Sequence, residues 1–317
     1  MKTVQFILGR FLGAVATMFI GALAVFLVMQ AAPGDPALAA LGESATPEAV
    51  AAFRAERNLD APLTEQFASW LQGVAQGDFG KSLTIAGGIP ISELVVTRLP
   101  NTLFVGLYAI VFAVAVSLFM GSLAAIKRGR MSDTVATSIS ALGVSMPDFW
   151  LGYVLILVFA LTLGWLPSYG FTSPFESLSG AFVTGLLPAL AIAAPMAAVF
   201  ARTLRTSLLE NSGRDYVTVA RSFGFSRPFV FEHYVFRNSI IPYIVIVGLQ
   251  IRYLLGGVVV VERVFGVPGV GSLMVDAAFA RDYPVVQACT IVFLTIVLSV
   301  NFTVDIICAA LDPKRTR

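Results

Sequence analysis

Asp148, Arg252 and Asp305 stand inside long apolar stretches of the chain. A charge at bilayer depth is costly and is normally turned toward a cavity or a partner. Asp148 and Arg252 are therefore the candidate pathway residues. The plainer alternative is an internal ion pair, or an end-of-span position for Asp305. Other chemistry is sparse. His233 is the only histidine, which argues against a histidine network or a His-built metal site. Gly77-Asp-Phe-Gly-Lys81-Ser82 has the outline of a phosphate loop but lacks the four-residue spacing before Gly-Lys. Cys289 and Cys308 fall in one apolar stretch, roughly 28 Å apart along a helix and too far to pair. The residues give no catalytic constellation, cofactor site or metal cluster. If the protein performs energy-driven work, the engine is on another chain.

The elements that carry these residues are membrane helices. Hydrophobic residues make up 57% of the 317 and charged residues 13%, about half the charge of a soluble domain. Six stretches are long and apolar enough to cross a bilayer: 9–31, 101–126, 134–163, 183–205, 237–260 and 284–310. The fold class is all-α and polytopic, with both termini on one side. Lys2, Arg10, Lys127, Arg128 and Arg130 fall on that side, as do the arginines of 206–236 and the C-terminal tail. The acidic residues of 32–100 fall on the other. By the positive-inside rule the termini are cytoplasmic. Three parts follow: the tail and first helix (1–31), a periplasmic amphipathic segment (32–100), and a core (101–317) with a cytoplasmic loop at 206–236. Within 32–100, Thr46-Pro47-Glu48 opens one helix, and Phe67, Trp70 and Leu71 share a face of another, expected at the outer interface. Glu262 and Asp282 are the outer-face candidates; for Glu262, contact with the binding protein or partner permease and plain capping or packing are both open readings.

The 206–236 loop has more structure than a connection needs. Asp215 is a candidate N-cap and Gly224 a terminator. Ser226 and Pro228 open a second helix. Tyr216, Val219, Ala220 and Phe223 fall on one apolar face, which in an exposed loop marks a contact. Arg214, Arg221 and Arg227 surround it.

Thr218-Val-Ala220-Arg-Ser-Phe-Gly224 resembles the Glu-Ala-Ala loop of permease subunits of bacterial ABC importers. The resemblance, to the B-type subunit of the dipeptide/oligopeptide/nickel branch, runs along almost the whole chain. It rests on Pro33-Gly-Asp-Pro36, Asn58-Leu-Asp-Ala-Pro-Leu63, Gly77–Ser82, Arg98-Leu-Pro-Asn-Thr102 and Ser145-Met-Pro-Asp-Phe-Trp-Leu-Gly152. It continues in Leu163-Gly-Trp-Leu-Pro167, Val260–Phe265, Pro268-Gly-Val-Gly271, Arg281-Asp-Tyr-Pro284 and Ala310-Leu-Asp-Pro313. It departs at Thr218, where the wider pattern has Glu, and at Arg237-Asn-Ser-Ile-Ile-Pro242.

The resemblance implies six helices of the type I importer fold in the bacterial inner membrane. It also implies a second related permease, two cytoplasmic ATPase subunits holding ATP and Mg, and a periplasmic binding protein that delivers di- or oligopeptides. This chain would carry no cofactor and contact no nucleic acid. Asp215, Tyr216, Thr218, Val219, Ala220, Arg221, Phe223, Gly224 and Arg227 would couple it to the ATPase. A nickel chelate, glutathione, an opine or a sugar is the alternative cargo. An ion-coupled secondary transporter is the rival class, but no internal repeat supports it.

Overall fold

The computed structural model describes residues 2–31, 35–42, 45–56 and 58–311, and among these the regular elements are helices. Of the resemblance motifs, 33–34 and 312–313 lie outside the described residues, as do Arg57 and the basic tail 314–317.

The helices run in order α1 (Lys2–Ala31), α2 (Pro36–Leu41), α3 (Pro47–Glu56), α4 (Leu63–Gln76), α5 (Ile91–Ile126), α6 (Met131–Ser145), α7 (Asp148–Leu155), α8 (Leu178–Ser212), α9 (Asp215–Ser222), α10 (Arg227–Val230), α11 (Arg237–Phe265), α12 (Val270–Phe279) and α13 (Tyr283–Leu311). A π-helical segment extends α7 through Thr162, and another, Phe231–Phe236, joins α10 to α11. Among the described residues, five stretches are each long and apolar enough to cross a membrane, and a bent pair within α11–α12 brings the number up to six.

The third stretch, 134–163, is not one helix. It parts at Met146-Pro147 into α6 and α7. Proline donates no backbone hydrogen bond and disfavours helical geometry in the residue before it. The second stretch starts earlier than its hydropathy suggests: α5 begins at Ile91 and carries Pro100 in its interior.

The core is built on α5 against α8. Ala109, Ala113, Ser117, Gly121 and Ala124 form a stripe of small buried residues along α5. A side chain at Gly121 would meet the Ala201 carbonyl of α8 at 2.8 Å. Small residues let two helices approach closely where lipid offers no hydrophobic gain for association. Phe200, Leu204, Tyr243 and Val258 fill the centre between α8 and α11, and Ser117 and Tyr243 share a hydrogen bond of 2.7 Å.

On the periphery α1 packs on α13, where Arg10 pairs with Asp305 at 3.2 Å. The aromatic face of α4 covers α1: Phe67 and Trp70 stand 5.2 and 5.9 Å from the Phe26 ring. That apolar face is thus spent on α1 and not laid on the interface.

Candidate functional site

The structure separates the sequence-marked residues into two groups at opposite ends of α11. One end carries α9 and the other carries α12.

At the α9 end, Gly224 has φ +82°, in the left-handed region where glycine is unstrained. Its N–H donates to the Arg221 carbonyl at 3.0 Å, closing α9. Arg214 takes the N-cap position, so Asp215 is the first helical residue and places its charge in the first turn. Ser226 occupies the start of α10 without a side-chain capping bond.

The four-residue apolar face proves to be two faces. Val217 and Ala220 are buried against the rest of the chain at 0% and 4% exposure. Tyr216, Val219 and Phe223 stand out at 38%, 51% and 77%. Ala220 therefore belongs with Val217 inside, which corrects its grouping with the outward residues. Thr218, Arg221 and Arg227 are exposed around them.

A polar clasp ties this helix to two long ones. The Tyr216 hydroxyl donates to Asn211 Oδ1 at 2.7 Å, and Asn211 Nδ2 donates to Ser239 Oγ at 3.0 Å and the Ser207 carbonyl at 2.9 Å. Ser239 is buried and donates in turn to the Ser207 and Val235 carbonyls. Movement of α9 would thus be felt by both α8 and α11. Sequence reading passed over Asn211 and Ser239. It also passed over a stack of exposed rings beside the turn. Phe225 and Phe229 lie 5.1 Å apart, and Phe229 and His233 lie 4.2 Å apart. The i, i+4 spacing of Phe225, Phe229 and His233 was the available signal.

At the α12 end the chain turns through 82° between α11 and α12. Glu262 is fully buried inside this elbow. Its Oε1 accepts the Thr102 hydroxyl at 2.6 Å, and its Oε2 accepts the Ser272 N–H at 2.8 Å in the first turn of α12. Thr102 Oγ1 also accepts from Val270 N at 2.8 Å, and Asn101 Nδ2 donates to the Pro268 carbonyl at 3.0 Å. Gly269 and Gly271 are required here, because a side chain on either would run into the Glu262 carboxylate.

Asp282 is equally buried. Its Oδ2 accepts from Ser82 Oγ at 2.6 Å and from the N–H groups of Leu83, Thr84 and Ile85 at 2.9, 2.9 and 3.2 Å. The run 82–85 is folded around one carboxylate oxygen. Both carboxylates are turned into the chain, where they accept from hydroxyl and backbone N–H donors. With the Thr84 hydroxyl at 3.3 Å, Asp282→Ala should leave five donors without this acceptor, at about 1–3 kcal/mol for the first unsatisfied buried group. Limited proteolysis should then cut within 83–89 much faster than in the wild type, with Asp282→Asn intermediate; equal cleavage rates would refute the role.

In the bundle, Asp148 opens α7 half-buried beside Gly257 of α11. Arg252 lies on α11, its side chain outside the described residues. Asp305 is taken up by Arg10. Tyr253, one residue from Arg252, is 74% exposed midway along α11. It carries a hydroxyl on a helix face that runs on through Gly256 and Val260.

A bundle of apolar helices long enough to cross a membrane, with one short amphipathic helix pinned to its end, is the architecture of a polytopic membrane protein. The chain belongs to the family of binding-protein-dependent transport system inner membrane components, whose model matches residues 117–317, while the model of the family's N-terminal part matches 3–105.

Relatives align over nearly the full length. A probable peptide ABC transporter permease of Sinorhizobium fredii is 35% identical, covering 98% of each chain. A putative peptide transport permease of Brucella abortus is 37% identical, covering 97% of this chain and 98% of its own. The glutathione transport permease GsiC of Escherichia coli is 37% identical, covering 98% of each. Among solved structures, the inward-facing methionine transporter MetNI superposes with a TM-score of 0.56 at 18% identity, over 69% of this chain and 97% of its own. An amino acid ABC transporter solved with histidines gives 0.53 at 15%, over 68% and 93%. These two establish the fold alone.

Proposed function

We propose that this chain is one of two related permease subunits of an ATP-driven importer of di- and oligopeptides in a bacterial inner membrane, with its termini and α9 in the cytoplasm. A periplasmic binding protein delivers the cargo. Two ATPase subunits with ATP and Mg supply the hydrolysis, and this chain does none.

The observation that carries the reading is the divided surface of α9. Val217, Ala220 and the Tyr216–Asn211 bond fix the helix to the bundle. Tyr216, Val219 and Phe223 remain for an ATPase groove, ringed by Arg214, Arg221 and Arg227, which meet acidic groups at its rim. Closure of the ATPase pair pushes α9. The Asn211–Ser239 clasp passes that push to α8 and α11, and the tight α5–α8 contact moves α5 with them. Packed helices respond as rigid bodies between two arrangements, inward-open and outward-open. Asp148, Arg252 and Tyr253 are the polar groups assigned to the passage between the two permeases.

The relatives named for peptide transport support the cargo class, and the relative named for glutathione supports a short thiol peptide within it. The test is uptake into vesicles reconstituted with this chain, its partner permease, the ATPases and the binding protein. Labelled di- or tripeptide should accumulate only with ATP and binding protein present. Accumulation by this chain alone under an ion gradient would overturn the proposal.

A further inference from the structure

A cavity of about 690 Å³ lies between the end of α1, the α3–α4 hairpin, the 78–83 turn and the start of α13. Its size falls within the roughly 300–1,000 Å³ of small-ligand sites. It is separate from α9 and from the Tyr253 face of α11. Phe26, Met29, Trp70 and Phe79 give it apolar lining, and Gln30, Glu65, Gln66 and Asp78 give it polar lining.

Gln287 is the informative residue. It lines the cavity, is 7% exposed, and its amide has no hydrogen-bond partner among the described residues. The amide itself is not sealed from the cavity, so a group that enters can bond it in place of water. Gln66 is already used: its Nε2 donates to the Leu59 and Ala61 carbonyls, and its Oε1 accepts from Gln30.

The charge balance identifies the ligand. Arg54 is the cavity's only cation among its described lining residues. It is neutralised by Asp35 at 2.7 Å and Asp60 at 3.6 Å. Glu65 has no partner among the described residues, and Asp78 accepts only the Gly80 N–H at 2.8 Å. The open charge is therefore negative, suited to an ammonium and hostile to a phosphate. An ammonium near Glu65, an amide within reach of Gln287 and an apolar group on Trp70 and Phe79 together describe the amino end of a short peptide.

We propose that this cavity binds short peptides by their free α-ammonium, as a holding site on the outer face ahead of the passage. The proposal deepens the importer reading and rests on its peptide cargo.

The test measures binding of the tripeptide Phe-Ala-Ala to the full chain in phosphatidylcholine nanodiscs, by calorimetry, without ATPase or binding protein. Binding should weaken about tenfold when the tripeptide is N-acetylated, and about tenfold for each of Glu65→Gln and Gln287→Leu. Glu232→Gln, an exposed position in the Phe231–Phe236 segment away from the cavity, should bind as the wild type does. Should Gln287→Leu fail to give a monodisperse protein, N-acetylation and the exposed Glu65→Gln carry the test. Absence of binding, equal binding of the acetylated peptide, or displacement by phosphatidylethanolamine in the nanodisc would each overturn the site. None of these results touches vesicle uptake, so failure of the holding site and failure of the importer reading are told apart.

Discussion

Replacing Glu262 with alanine is expected to destabilise the protein by about 3 kcal/mol or more, because one deletion strips partners from two elements and opens a cavity. Thr102 on α5 loses its acceptor at 2.6 Å, and Ser272 in the first turn of α12 loses its own at 2.8 Å. The 82° elbow then keeps the Thr102–Val270 and Asn101–Pro268 bonds and its apolar packing on α5. Thermal unfolding in detergent should shift down by roughly 6–12 °C. Glu262→Gln keeps the shape and one acceptor, so it should lie between wild type and alanine. Gly271→Ala should resemble alanine at 262 even though the carboxylate is retained, because the new methyl meets the Val259 backbone at 2.8 Å. Unfolding of Glu262→Ala within a degree of the wild type would show that the Glu262 bonds do not hold the elbow.

This end of the molecule also shows what the sequence could and could not reveal. Arg98–Thr102, Val260–Phe265 and Pro268–Gly271 were each visible as motifs, yet nothing local says that they meet. Thr102 and Glu262 are 160 residues apart in the chain, and Ser82 and Asp282 are 200 apart. A carboxylate at the end of an apolar stretch reads as exposed until the hydroxyl and amide donors that bury it are known. The membrane character, the extent of α9 and its stop at Gly224 were legible because composition, periodicity and caps are local. The break at Pro147 was less so, since proline inside a membrane helix is often tolerated, as Pro100, Pro188, Pro195 and Pro242 are here. The facing of α9 was read only in part. Successive helical residues turn by about 100°, so an eight-residue helix with apolar residues at 216, 217, 219 and 220 fits several orientations. Only contact with α8 and α11 selects Val217 and Ala220 as the inner pair.

That selection makes Phe223→Asp the sharpest functional substitution. Phe223 is 77% exposed and contributes nothing to the core, so the variant should insert, fold and melt as the wild type does. An aromatic residue at the centre of a partner groove is worth about 2 kcal/mol or more on truncation, a loss of roughly thirtyfold in affinity, and a buried unpaired carboxylate adds to it. ATPase association, read by co-purification at fixed concentration, should therefore collapse, and ATP-driven uptake with it. Ala220→Asp should lose the same two activities by another route. Its carboxylate would be forced into a site of 4% exposure beside Val217, so thermal stability should fall as well. Gly224→Val falls between them: a β-branched residue at φ +82° is strained, which swings α9 relative to α10 without touching the outward rings. Loss of association with stability intact in Phe223→Asp, and with stability lost in Ala220→Asp, separates the face that is gripped from the face that transmits the grip. Normal ATPase association in Phe223→Asp would remove α9 as the docking helix and leave the exposed stack of Phe225, Phe229 and His233 to be tested in its place.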